Sequence, residues 1–101
     1  MKKIILFFFL LFCFNPAFSD DKLDLGLQVY NDKAQCGTCH ILKASGSKGN
    51  IGPNLDILKP SVAIIISAVT NGIGVMPAME GILTDKEIEA VAHYVSIAAE
   101  Q

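Results

Sequence analysis

Four stretches of the chain carry a regular apolar pattern, and each predicts an element or a segment. Ile4 to Phe14 is apolar without interruption. Eleven residues fall short of the roughly 20 that cross a bilayer. Met1-Lys2-Lys3 precedes this run and Asn15-Pro16-Ala17-Phe18-Ser19 follows it. A charged start, a short apolar middle and a small-residue end make the layout of a secretory signal peptide, with cleavage expected after Ser19. Bulky Phe12 before Cys13 does not suit a lipoprotein cleavage site. Further along, Leu23, Leu27 and Tyr30 recur at helical spacing with Val29 nearby, which predicts a first helix from about Asp21 to Lys33.

A second helix is expected from Pro60 or Ser61 to about Asn71, with Gly72 placed to end it. Val62, Ile65, Ile66 and Val69 form its buried face, and Ala63 and Ile64 widen the apolar surface. The last helix opens on Thr84-Asp85-Lys86-Glu87, a capping box in which threonine and glutamate satisfy each other's amides. With Ile88 as origin and about 100° per residue, Val91, Ala92, Val95 and Ala99 fall within about 60° of it. His93 falls about 140° away, beside Glu89 and Ala90 on the expected outer side, and reads as an exposed helical histidine. Between the helices, Ala44 to Asn50 is rich in glycine and serine and reads as a surface loop, and Gly52-Pro53-Asn54-Leu55 as a turn. No alternating run is long enough for a sheet, and no repeat is visible. The expected architecture is all-α, with a leader over 1–19 and one domain over 20–101.

Composition changes this picture once the leader is set aside. The leader inflates the 51 % apolar content, so that figure does not argue for a membrane protein. Lys2 and Lys3 leave with it, so six of eight lysines face ten carboxylates, a formal charge of −4, and there is no arginine. A nucleic-acid partner needs a basic face, which excludes that class. Cys13 also departs, leaving two cysteines and no disulfide framework. A domain of about 80 residues has a thin core and gains from a staple.

Cys36-Gly37-Thr38-Cys39-His40 supplies the chemistry. Two thiols three positions apart, followed at once by an imidazole, form the attachment sequence for haem of the c type. The sulfurs add to the two porphyrin vinyl groups as thioethers, and the histidine is delivered to the iron. That attachment takes place outside the cytoplasm, in agreement with the leader. Met76 and Met79 offer thioethers for the other face of the iron from a glycine-loosened loop, Gly72-Ile73-Gly74-Val75-Met76-Pro77-Ala78-Met79. Met76 is favoured because Pro77 stiffens the backbone and removes an amide from an apolar site; Met79 is the alternative. A zinc site wants four ligands, and only Cys36, Cys39, His40 and His93 are on offer. A thioredoxin-like site wants a strand before the cysteine pair, where a polar helix end is expected.

These motifs, their order and the capped terminal helix resemble the class I c-type cytochromes, specifically the short soluble bacterial ones, from about Asp24 to Ala98. The resemblance implies a cytochrome c fold of three to four short helices around one covalent haem. It implies Cys36 and Cys39 as thioether anchors, His40 as proximal and Met76 as distal iron ligand. It further implies the Pro53 carbonyl as acceptor for the His40 ring, Leu55 packed on the haem, and a first-to-last helix crossing at Gly26, Tyr30 and Tyr94. Unlike some relatives the chain has no tryptophan, so its propionate contacts are unassigned. The Gly72 to Pro77 loop is similar to that of small cytochromes accompanying periplasmic dehydrogenases, including sulfite dehydrogenases.

With both axial positions filled, iron can do little but change between ferric and ferrous. The expected function is a periplasmic one-electron carrier and not an enzyme, with one haem c per chain. It would meet a dehydrogenase or respiratory donor, and an oxidase or another cytochrome as acceptor, in transient complexes. No stable membrane insertion is expected after cleavage. The alternatives are a dedicated cytochrome subunit of a dehydrogenase, or a peroxidase-type haem enzyme, which needs an open iron position.

Overall fold

A computed structural model describes residues 20–100; the expected leader and its cleavage point lie outside the described residues. Helix α1 spans Asp21–Gln28 and opens on the Asp20 carboxylate, which accepts from the Lys22 and Leu23 amides at 3.0 and 3.3 Å. It runs on into a π-helical turn over Val29–Lys33, closed by the Ala34 amide on the Val29 carbonyl at 2.8 Å. The expected first helix is therefore present, with its last turn widened. Helix α2 is a single turn over Leu55–Leu58, capped by Asn54, and α3 spans Val62–Asn71, capped by Ser61. Gly72 ends α3 at φ +77°, a conformation that L side chains avoid. Helix α4 spans Asp85–Ala98, and both bonds of the Thr84 and Glu87 capping box form, at 3.1 and 2.9 Å.

The glycine- and serine-rich stretch is more than a surface loop. Strands β1 (Ile41–Leu42) and β2 (Ser47–Lys48) pair antiparallel, with Ile41 opposite Lys48 and Leu42 opposite Ser47. A 3₁₀ turn over Lys43–Ser45 and Gly46 at φ +76° join them. Ser47 explains why the segment folds back: its hydroxyl accepts from the Leu42 amide at 3.1 Å and pairs with the Tyr30 hydroxyl at 2.9 Å. A ladder this short needs no alternation of side chains. Helix α2 also escaped the pattern, because four residues are too few to show a period.

The core sits where α1 and α4 cross. Gly26 is buried at the crossing, and a Cβ there would come 2.5 Å from the Tyr94 Cβ and run into the Ala90 carbonyl. Tyr30 and Tyr94 meet edge to face with centroids 5.9 Å apart. The expected stripe of Ile88, Val91, Ala92, Val95 and Ala99 is buried in full. Ala90, expected outside, is buried as well, because glycine lets α1 lie directly on it. Nor is His93 simply exposed. It is half-buried, with Nε2 3.4 Å from the Asp20 carboxylate, and this contact is the main reason the Asp20 carboxyl is held below its usual range. On α3 only Ile65 and Val69 are buried; Val62 is 40 % exposed and Ile66 half-buried. This helix packs on α4 with one side and borders a cavity with another.

A second tie between the chain ends is ionic. The Lys33 ammonium lies 2.6 Å from Glu87. That contact, then the Thr84 amide, holds the Glu87 carboxyl below its usual range. The folded state therefore takes up this proton less readily than the unfolded chain, so the associated stability is present above the unfolded pKa, roughly 4.3. It is lost as pH falls through the depressed folded value. Glu87→Gln should lower stability at neutral pH and change it less in acid, so that the acid limb of a stability-against-pH curve from urea titrations flattens. Thr84→Ala should cost about 1 kcal/mol at all pH values.

Candidate functional site

The segment after α1 turns its chemistry in one direction. Gln35 adopts φ +51°, costly for a residue with a side chain, and reverses the chain ahead of Cys36. A 3₁₀ turn over Cys36–Thr38 follows, and the Cys36 carbonyl accepts from the Cys39 and His40 amides at 3.1 and 3.0 Å. The β1–β2 hairpin supports this turn from behind. Gly37 packs on Ser47, where a Cβ would come 2.5 Å from the Ser47 Cβ, and Gly49 packs on the Thr38 backbone. The polar cluster of Tyr30, Ser45 and Ser47 that anchors the hairpin was not legible in the sequence; its members lie up to 17 positions apart.

His40 is oriented by its partner. Its Nδ1 lies 2.7 Å from the Pro53 carbonyl, which can only accept, so Nδ1 carries a proton and donates it to that bond. Facing this motif is a cavity of about 580 Å³. Cys36, Cys39, His40, Pro53, Leu55, Met76 and Met79 all stand on its wall. Every residue named from the sequence as a site residue is therefore brought together. Ile51, Ile64, Ile65 and Ala68 complete much of the apolar lining, a set that sequence spacing alone did not reveal as one surface.

The methionine loop is held by backbone bonds. Ile73 and Met76 exchange amide-to-carbonyl bonds at 3.1 and 2.9 Å across Gly74 and Val75, and the Met79 amide donates to Val69 at 2.8 Å. Gly72 passes so close beneath that a Cβ would come 2.7 Å from the Met76 carbonyl oxygen.

Electrostatically the cavity is quiet. No carboxylate, lysine or second histidine is among its lining residues. Burial pushes the Cys36 thiol up to about 11. Both cysteines are free thiols and both reach the wall. Among the described residues no three His, Cys, Asp or Glu side chains gather into a metal-binding cluster, so the zinc alternative has no ligand set. Two reduced thiols, an imidazole oriented through Nδ1, two thioethers and apolar walls fit haem c. The volume lies within the range of cofactor pockets, roughly 300–1,000 Å³.

Helices folded around such a wall define a class, the small proteins that carry one covalent haem. Residues 21–95 match the family model described as cytochrome c oxidase, cbb3-type, subunit III. A cytochrome c6 from Rippkaea orientalis is 34 % identical, covering 99 % of this chain and 96 % of its own length. A cytochrome c6 from Microcystis aeruginosa is 41 % identical over 67 % of this chain and 89 % of its own. Among solved structures, the c-type cytochrome SorU from Sinorhizobium meliloti superposes with a TM-score of 0.77 at 50 % identity, covering 82 % of this chain and 97 % of that one. The chain belongs to this family of small class I c-type cytochromes. It carries a single haem c attached through the Cys36, Cys39 and His40 motif, and it is a one-electron carrier rather than an enzyme.

Gly72 is the position where the methionine loop is most constrained. Gly72→Ala combines a positive-φ, extended-ψ backbone that only glycine adopts readily, worth roughly 1–3 kcal/mol, with a collision against Met76. It should lower the urea midpoint clearly, whereas Gly81→Ala, at φ +89° with open space around it, should lose only the backbone contribution.

Proposed function

We propose that His40, through Nε2, and Met76 would hold the haem iron and that the Pro53 carbonyl and Leu55 would complete the haem pocket. The observation that carries this reading is the common cavity wall on which both cysteines, His40 and Met76 meet. Haem, when bound, supplies one-electron exchange between ferric and ferrous iron. The chain's own residues do the rest. Cys36 and Cys39 anchor, the Pro53 carbonyl orients the imidazole and keeps Nε2 available, and the apolar walls exclude water. Thioether ligation and burial both favour the ferrous form. Met79 stands on the same wall and is held by at least as many backbone bonds; Met76 is preferred because Pro77 beside it stiffens the backbone and removes an amide from the apolar site. With His40 and the two cysteines committed to haem, the lining offers no carboxylate, lysine or second histidine for the proton transfers of a peroxidase-type reaction.

On this reading the leader over 1–19 exports the chain to the periplasm, cleavage after Ser19 leaves residues 20–101 as the cytochrome domain, and haem is attached there. The donor is a dehydrogenase, in keeping with the Gly72 to Pro77 loop, and the acceptor an oxidase or another cytochrome. The contact face is the cavity mouth, where Ile64, Ile73 and Val75 are 61, 64 and 86 % exposed. No charged residue occurs between Pro60 and Met79, so docking there relies on apolar contact. Redox encounters of this kind are small and short-lived.

Met76→Ala should abolish the methionine-to-iron absorption band of the oxidised protein, with covalent haem retained on a denaturing gel. Met79→Ala should keep the band, and the opposite pattern would reverse the assignment. Ile64→Lys should slow electron exchange with the physiological donor several-fold at unchanged haem content. An unchanged stopped-flow rate would move the docking face elsewhere.

A further inference from the structure

Gly52 has no side chain, yet its surroundings all lead to His40. Its amide donates to the Cys39 carbonyl at 2.7 Å. One residue on, the Pro53 carbonyl accepts from His40 Nδ1 at 2.7 Å. A Cβ added at Gly52 would meet the imidazole at 2.7 Å from Cε1, 3.0 Å from Nδ1 and 3.2 Å from Nε2. Three such similar distances put Gly52 over the face of the ring, not at its edge. Gly52 is also absent from the glycines with positive φ, which are Gly46, Gly72, Gly74 and Gly81. Its backbone would accept alanine; only the imidazole excludes a side chain.

We propose that Gly52 is a positioning residue whose bare α-carbon sets the rotation of the His40 ring and, through it, how strongly Nε2 donates to iron. The proposal rests on His40 being an iron ligand. Any side chain at 52 must turn or push the ring, and the bond from Nδ1 to Pro53 lengthens because the amide bond to Cys39 holds the 52–53 backbone in place. A weaker hydrogen bond at Nδ1 leaves Nε2 less basic. A less basic ligand stabilises ferric iron less, so the equilibrium moves toward ferrous. Residue 52 thereby tunes the carrier without touching the iron or the electron path.

The test compares Gly52→Ala with Gly46→Ala in the holoprotein. Gly46 has φ +76° and nothing within 4 Å of a Cβ, so alanine there strains the backbone without reaching His40. Gly52→Ala should retain covalent haem but shift the ferrous-to-ferric equilibrium about tenfold, a midpoint about 59 mV more positive for one electron. The His40 ring resonances of the ferric protein should move with it. Gly46→Ala should lose stability and change neither. Equal potentials in Gly52→Ala and the parent, or the same shift in Gly46→Ala, would overturn the proposal. Should Gly52→Ala yield no holoprotein, the parent decides: a nuclear Overhauser contact between the Gly52 α-protons and His40 Hε1 in the reduced state supports it, and its absence refutes it. A parent without gel-stable haem would instead defeat the haem assignment, with the Gly52 contact still measurable.

Discussion

The fold depends on how closely α1 and α4 approach at Gly26. A domain this small has few buried side chains, and the crossing gathers most of them around Val29, Tyr30, Val91, Tyr94 and Val95. Glycine is required there because the Ala90 carbonyl and the Tyr94 Cβ occupy the space of any larger residue. The crossing brings the two chain ends together, and the Lys33 to Glu87 and His93 to Asp20 contacts then hold the ends on its flanks. Polar contacts at the surface such as these contribute little each. They trim a geometry that apolar burial has already decided.

Everything between those ends is arranged as a shell. Three short segments form it: the 36–40 turn, the 52–55 turn and the 72–79 loop. None has a core of its own. Each is held by backbone bonds to a neighbour, as in Gly52 to Cys39, Ile73 to Met76 and Met79 to Val69. Side chains are thereby left free to face the cavity. Apolar walls also mean that covalent haem is a structural component as much as a redox group. On the proposed assignment it would fill the cavity of about 580 Å³, whose lining is largely aliphatic.

Glycine serves two different purposes in this shell. At Gly72 the backbone itself takes a positive-φ turn beneath Met76. At Gly52 the backbone is ordinary and a neighbouring ring needs the space. The first kind follows from local turn chemistry and could be anticipated from the loop wording. The second depends on a residue twelve positions away and becomes visible only in three dimensions. Ala90 teaches the same lesson: helical periodicity put it outside, and a partner helix with no side chain at the crossing put it inside.

By itself the sequence determined the chemistry and the three longer helices. The Cys36 to His40 spacing names the cofactor because thioether attachment demands two thiols and an adjoining imidazole. The Thr84 capping box and the Ile88 to Ala99 stripe define α4 because capping and amphipathicity act over a few residues. Tertiary structure decided what lies between distant positions. It joined Ser47 to Tyr30, turned a presumed loop into a hairpin behind the motif, tied His93 to Asp20 and laid the His40 ring against Gly52. Those contacts are set by how close two backbones can come, a property of paired surfaces that no single stretch of sequence carries.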